Sequence, residues 1–169
     1  RSVQSAVAMD FKDILWLGDE RLDERNRGRI RGLKPEQHRQ LFPASYEKMR
    51  ADPLHWIPPG GESIVDVAER WRSFYDDISD LSSTVIVGHR DQIWAAMQPL
   101  ELLNNDELLA VNTDEIHNAQ IIHYTSLNPD TGEQAPTLMW KRSVDPSQPE
   151  ASAGWQILPH VAERYGMVA

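Results

Sequence analysis

The run Thr84-Val85-Ile86-Val87-Gly88 constrains this chain most, because it is apolar, ends at a glycine and passes through His89 into the helix-patterned segment Asp91-Gln92-Ile93-Trp94-Ala95-Ala96-Met97. A strand that runs into a helix through a tight turn leaves His89 at the carboxyl edge of a sheet. At such an edge the first N–H groups of the helix lack intrahelical partners and attract anions, so the position suits phosphate chemistry.

A chain of 169 residues is long enough for one ordinary α/β domain with a core, and a hydrophobic fraction of 40% supports a globular reading. The 17 Lys and Arg against 26 Asp and Glu give a net charge of -9, which argues against nonspecific binding to nucleic acid or acidic membranes. Without cysteine there is no disulfide, no thiolate nucleophile and no Cys-based zinc site, which fits a reducing cytosol. No apolar run approaches the roughly 20 residues of a membrane span, and the N-terminal segment lacks the apolar core of a signal peptide. The expectation is a soluble, cytoplasmic protein with no nucleic-acid and no membrane partner.

Along the chain, Ser2 to Ala8 suits a helix and Ile14-Leu15-Trp16-Leu17 a buried strand. The segment Leu22 to Leu33 carries four arginines and two glycines, too irregular for an amphipathic helix and too basic for a core strand, and reads as a loop. Lys34 to Met49 mixes helix and coil, and Asp52 to Gly61 is rich in proline and glycine, so residues 34–61 read as an excursion over a site. The clearest helix follows: Ile64, Val67, Ala68, Trp71, Phe74 and Ile78 recur at three- and four-residue steps, behind Ser63 as N-cap with Asp66 three residues on. Asn104 to Asp114 reads as loop, with Leu108 to Val111 as a candidate short strand. Ala119 to Thr125, a turn over Asn128 to Gly132, and Thr137 to Lys141 form a hairpin pattern. Residues 143–169 read as a C-terminal tail, with a short helix over Pro159 to Tyr165 ended by Gly166.

Four pieces carry the chemistry. They are Arg-x-x-Gln-Ser-Ala at 1–6, Leu-x-Glu-Arg-x-x-Gly-x-x-x-Gly at 22–32, Gly-Glu-Ser at 61–63 and Val-Ile-Val-Gly-His at 85–89. In this order they resemble the motifs of the histidine phosphatase superfamily, the phosphoglycerate-mutase-like family, and Asn118-Ala119-Gln120-Ile121 resembles its Asn-x-Ser-Ile segment. The resemblance covers most of residues 1–142. It implies a three-layer α/β/α sandwich with a mostly parallel sheet, and phosphate transfer to a histidine through a phosphohistidine. That chemistry needs an imidazole nucleophile, cations for the phosphoryl oxygens and an acid for the leaving oxygen. By motif match His89 is the second histidine, which stabilises the phosphoryl group, Glu24 the proton donor and acceptor, and Arg1 an arginine of the phosphate pocket. Arg25 and Asn118 are the further candidates for phosphate or substrate contact.

The chain departs from the family pattern twice. The family nucleophile lies in an Arg-His-Gly tripeptide at the end of the first strand, and none of the six histidines here, His38, His55, His89, His117, His123 and His160, has that setting. The expectation is a single domain over 1–169 that is N-terminally incomplete, without its first strand, and whose missing strand–helix unit amounts to roughly 30 residues or more. Arg90 stands where the family commonly has glycine; its cation either adds a phosphate contact or narrows the pocket.

Bland readings apply elsewhere. His117 and His123 are six residues apart, on one face of any continuous strand, but a metal site needs a third ligand, and no metal is expected. Trp71 and Phe74 read as core, and Trp56, among prolines and glycines, as the tryptophan that lines a pocket. No Gly-x-Ser-x-Gly, Walker or Rossmann fingerprint occurs. The resemblance therefore implies a metal-independent phosphomonoesterase that needs no cofactor and acts on a small phosphorylated metabolite, with its nucleophilic histidine upstream of Arg1. Two alternatives stay open, a noncatalytic anion-binding scaffold and a phosphoglycerate-mutase-type phosphotransferase. The expected partners are the phosphorylated substrate or inorganic phosphate and, as macromolecules, a homodimer copy or the missing N-terminal fragment.

Overall fold

Helix starts in this chain follow local chemistry. Proline occupies the first helical position of α2 (Pro35–Leu41) and α3 (Pro43–Ala51), where its missing N–H costs nothing. In α4 (Ile64–Ile78) the Ser63 hydroxyl accepts from the Asp66 N–H at 3.0 Å, while the Asp66 carboxylate accepts from the Ser63 N–H at 2.7 Å. The Ser63 N–H and then its hydroxyl, each donating to the carboxylate at 2.7 Å, hold the Asp66 carboxyl below its ordinary range. The periodic face of α4 goes inward as its pattern predicts: Ile64, Val67, Ala68, Trp71 and Phe74 are buried. Each large side chain removed from water there is worth about 1.5–3 kcal/mol.

The computed structural model describes all residues except 13, 80, 82, 112, 114–115, 152–153 and 168–169, so parts of the 104–114 and 143–169 expectations lie outside the described residues. The chain divides into two compact units, Arg1–Pro99 and Leu100–Ala169.

The first unit contains α1 (Ser2–Ala8), α2, α3, α4 and most of α5 (Arg90–Glu101). Its core gathers Leu54, Trp56 and the inner face of α4, with Ala95, Ala96 and Met97 of α5 also buried. Among its described residues there is no regular strand. The runs Ile14 to Leu17 and Thr84 to Gly88, expected as strands, carry no ladder, and Leu15, Leu17 and Val85 are exposed. An apolar, β-branched run becomes a strand only when a neighbouring backbone takes up its N–H and C=O groups, and the described residues supply none.

The second unit holds the sheet. Strands β1 (Ile121–Thr125), β2 (Trp140–Val144) and β3 (Gln156–Ile157) pair antiparallel in the order β1-β2-β3, with Ile121 opposite Val144 and Thr125 opposite Trp140. The mostly parallel sheet expected from the sequence is thus corrected to a small antiparallel one among the described residues. Here the strands follow one another in sequence, across a connection that holds a tight turn closed by the Leu127–Gln134 bridge, in which the Asn128 side chain accepts from the Asp130 N–H at 2.9 Å. Residues 105–110, which include most of the candidate strand, form helix α6 (Asn105–Ala110) instead. Its capping box decides this: Asn104 accepts from the N–H groups of Asp106 and Glu107, and Glu107 accepts from the Asn104 N–H at 2.7 Å. Met139, Trp140 and Ala135 pack with Leu158, Val161 and Ala162, at and within α7 (Pro159–Arg164).

Candidate functional site

The arginine-rich segment is a loop, as its composition predicts, and two glycines let it lie directly on the Pro58–Glu62 turn. A Cβ on Gly28, whose φ is +51°, would stand 2.3 Å from the Pro59 carbonyl oxygen, and one on Gly61 would stand 2.3 Å from that of Asn26. Only glycine permits both approaches. The closeness is used: Arg29 N–H donates to Pro59 O at 2.9 Å, Glu62 N–H to Asn26 O at 2.9 Å, and Asn26 N–H to the Glu62 carboxylate at 2.7 Å. Arg70 of α4 grips the same turn, donating to both Glu62 carboxylate oxygens at 3.1 Å.

Glu24 projects from this braced loop. Its Oε2 lies 3.7 Å from Nη2 of Arg1 and 3.8 Å from Nδ1 of His89. The other imidazole nitrogen, Nε2, is 3.0 Å from the Ser2 hydroxyl. Arg1, Glu24 and His89, spread over 89 positions of sequence, therefore meet in one cluster within the first unit. His89 is half-buried just before α5, whereas the Arg1 side chain is 77% exposed and free to meet a ligand from solvent. An imidazole flanked by a carboxylate and a hydroxyl can hold or pass a proton, and an exposed guanidinium beside them can take an anionic oxygen. Glu24 also lines a cavity of about 500 Å3 with Glu20, Arg21, Asp23, Asn26, Glu62 and Arg70.

The remaining candidates take other places. Arg25 is buried: its Nε donates to Glu62 O at 3.0 Å, its Nη2 to Trp56 O at 3.3 Å, and the guanidinium lies 5.5 Å from the Trp56 ring centre. Burial pushes the guanidinium below its ordinary value, and Asp91, 3.8 Å away, opposes that. In the structure Arg25 is a cross-link between the loop and the Trp56 segment, with its donors turned inward. Arg27 shares Asp91, donating at 2.8 Å. Arg90 is exposed at the first position of α5. Asn118 belongs to the second unit, exposed in the turn before β1, where Ala119 adopts a φ of +61°.

Trp56 lines a groove of about 180 Å3 with Ser45, Lys48, Ile57 and Pro59, and its indole N–H donates to the Ser45 hydroxyl at 3.2 Å. His117 and His123 do not share a strand, since β1 begins after His117: His117 bonds the Asp145 carboxylate, and His123 stacks edge-on to Trp155 at 4.9 Å. Among the described residues no group of three or more His, Asp or Glu side chains is placed to hold a metal ion. Ser2 was not singled out from the sequence; its one signal is adjacency to Arg1 in the Arg-x-x-Gln-Ser-Ala segment.

Residues 1–134 match the histidine phosphatase superfamily, branch 1. Among curated proteins, the chain is 29% identical over 136 residues to a 2,3-bisphosphoglycerate-dependent phosphoglycerate mutase of Bartonella tribocorum, covering 78% of this chain and 64% of the mutase. It thus spans less than two thirds of that relative's length. Among solved structures, it resembles a mycobacterial hydrolase with a TM-score of 0.59 at 22% identity, covering 93% of this chain and 69% of that one. It also resembles a mycobacterial glucosyl-3-phosphoglycerate phosphatase in complex with inorganic phosphate, with a TM-score of 0.50 at 23% identity, covering 82% and 61%. At these identities the structural likeness is one of α/β fold.

Proposed function

The chain belongs to branch 1 of the histidine phosphatase superfamily, and from that premise we propose that it supplies the second histidine, the proton-handling carboxyl and a phosphate-pocket arginine of a metal-independent phosphomonoesterase acting on a small phosphorylated metabolite. The observation that supports the reading best is the meeting of Arg1, Glu24 and His89, with Glu24 3.7 Å from the guanidinium and 3.8 Å from the imidazole.

In this reaction a histidine upstream of Arg1 attacks phosphorus, the bond to the leaving oxygen breaks, and Glu24 in its acid form gives that oxygen a proton. The carboxylate then takes a proton from the water that attacks the phosphohistidine, which returns the histidine and releases inorganic phosphate. His89 and Arg1 face the phosphoryl oxygens and offset the charge that develops on them. Hydrolysis is preferred over mutase transfer because a mutase must shield the phosphohistidine from water and hold a second phosphate in register. The reaction is cytoplasmic in this reading.

The test is turnover of a panel of phosphomonoesters by the protein that carries this chain, with and without a chelator, followed by quench in alkaline detergent and trapping of the phosphoenzyme. Chelator-insensitive turnover with an acid-labile, alkali-stable phosphoenzyme is the expected result. Retained binding of inorganic phosphate with no turnover of any ester would overturn hydrolysis in favour of an anion-binding scaffold, and phosphate exchange between two metabolites in place of release would favour the mutase.

A further inference from the structure

We propose that Gln92 is a positioning residue that holds His89 and Glu24 in register through one buried amide. The inference rests on the reading of those two residues as the phosphate-handling pair.

Gln92 lies in the first turn of α5 and is 1% exposed. A buried primary amide costs stability unless both of its ends are matched. Here Nε2 donates to the carbonyl oxygen of Asp23 at 2.7 Å, and Oε1 accepts from the backbone N–H of His89 at 3.4 Å. One side chain thus joins the peptide immediately before Glu24 to the peptide of His89. The Asp23 carbonyl receives a second donor, Nη2 of Arg70, at 2.6 Å, so its oxygen is held from α4 and α5 together. On the far side of Glu24 the Asn26 N–H is held by the Glu62 carboxylate at 2.7 Å. Glu24 therefore projects from between two pinned peptides, and Gln92 is the pin that also bonds the His89 peptide.

Gly88 fits the same device, since a Cβ there would stand 2.8 Å from Oε1 of Gln92. The glycine before His89 leaves the space that the amide fills. Glutamine is required chemically because the side chain must donate at one end and accept at the other. An ionised glutamate accepts only, and methionine of similar length does neither. Loss of the bond to Asp23 would let the Glu24 peptide drift from the imidazole, and misplacement of a reacting group by about 1 Å can cost about 100-fold in rate.

The experiment compares Gln92→Met, Gln92→Glu and Gly88→Ala with Glu24→Gln in the protein that carries this chain, with thermal melting as the control for folding. The readouts are kcat and KM on p-nitrophenyl phosphate and the imidazole 15N resonances of His89 at fixed pH. We expect Gln92→Met to lower kcat by roughly 10- to 100-fold with KM changed less than about threefold, and to move the His89 resonances in the direction set by Glu24→Gln. For Gln92→Glu the ratio of its kcat to that of the unsubstituted protein should rise as pH falls, because a protonated carboxyl regains the donor. If Gln92→Met fails to fold, Gly88→Ala, which presses on Oε1, and Gln92→Glu carry the test. The proposal is overturned when a folded Gln92 variant keeps kcat within twofold, or when Glu24→Gln moves the His89 resonances and no Gln92 or Gly88 variant does. Should the unsubstituted protein turn over no phosphomonoester, the functional reading fails, and the His89 resonances alone decide for or against Gln92.

Discussion

The imidazole–carboxylate pair His89–Glu24 of the first unit and the pair His117–Asp145 of the second are held in opposite ways. In the second unit Asp145 accepts three hydrogen bonds: one oxygen accepts from the Ser147 N–H at 2.8 Å and from its hydroxyl at 2.7 Å, and the other bonds His117. The hydrogen bond from His117, helped by those from Ser147, holds the Asp145 carboxyl down at about 2. In the first unit Glu24 faces His89 and Arg1 just beyond hydrogen-bonding distance, with its side chain 40% exposed. The rigidity that Asp145 has in its own bonds is supplied to Glu24 by the peptides around it. A carboxylate with both oxygens already hydrogen-bonded works as a staple, whereas one whose oxygens stand beyond hydrogen-bonding distance on a braced backbone can exchange a proton and admit a substrate oxygen.

The largest effect should come from breaking the open pair and the closed pair side by side. Glu24→Gln is expected to lower kcat by about 10²–10⁴-fold while inorganic phosphate still binds, and Asp145→Asn to leave kcat within about twofold. Steady-state kinetics on both variants decide it; equal losses would erase the distinction between the pairs.

A smaller effect should follow from loosening the brace without touching Glu24. Gly28→Ala places a Cβ 2.3 Å from the Pro59 oxygen at a φ of +51°, so the loop must leave the turn or strain it. Denaturant unfolding is expected to show a loss of about 1–3 kcal/mol. An unchanged midpoint would mean that the loop is held by something other than its contact with Pro58–Glu62.

The smallest effect sharpens the closed pair. Because the folded-state value of Asp145 is depressed from 3.8 to about 2, its contribution to stability is complete above about pH 4 and fades as the pH falls toward 2. Thermal melts of the unsubstituted protein and of Asp145→Asn should differ by a few degrees near neutrality and converge in acid. A gap that stays constant down to pH 2 would show that Asp145 does not act through its charge.

Much of this was legible in the chain because the signals are local. The α4 stripe and its Ser63–Asp66 box, the turn around Asn128, and the short helix that opens at Pro159 all act within a few residues. Asn104 and Glu107 were equally local signals for α6, and the apolar look of Leu108 to Val111 masked them. The order of motifs brought Arg1, Glu24 and His89 to notice. It marked Arg25 among the four arginines of the loop as a substrate contact, but could not foretell that the fold buries that guanidinium against Trp56. Gln92 read as one more residue of a helix, because the two groups its amide joins, at 23 and 89, are separated by 66 positions.

By itself, then, the amino-acid sequence determined the helix faces, the caps, the turn chemistry and the family, all of which depend on residue type at short spacing. Only the tertiary structure decided which runs pair as strands, which arginine becomes a cross-link and which carboxylate is left open beside an imidazole. These outcomes depend on what lies across a gap in space. A strand needs a partner backbone, and a buried donor needs an acceptor brought to it by a different part of the chain.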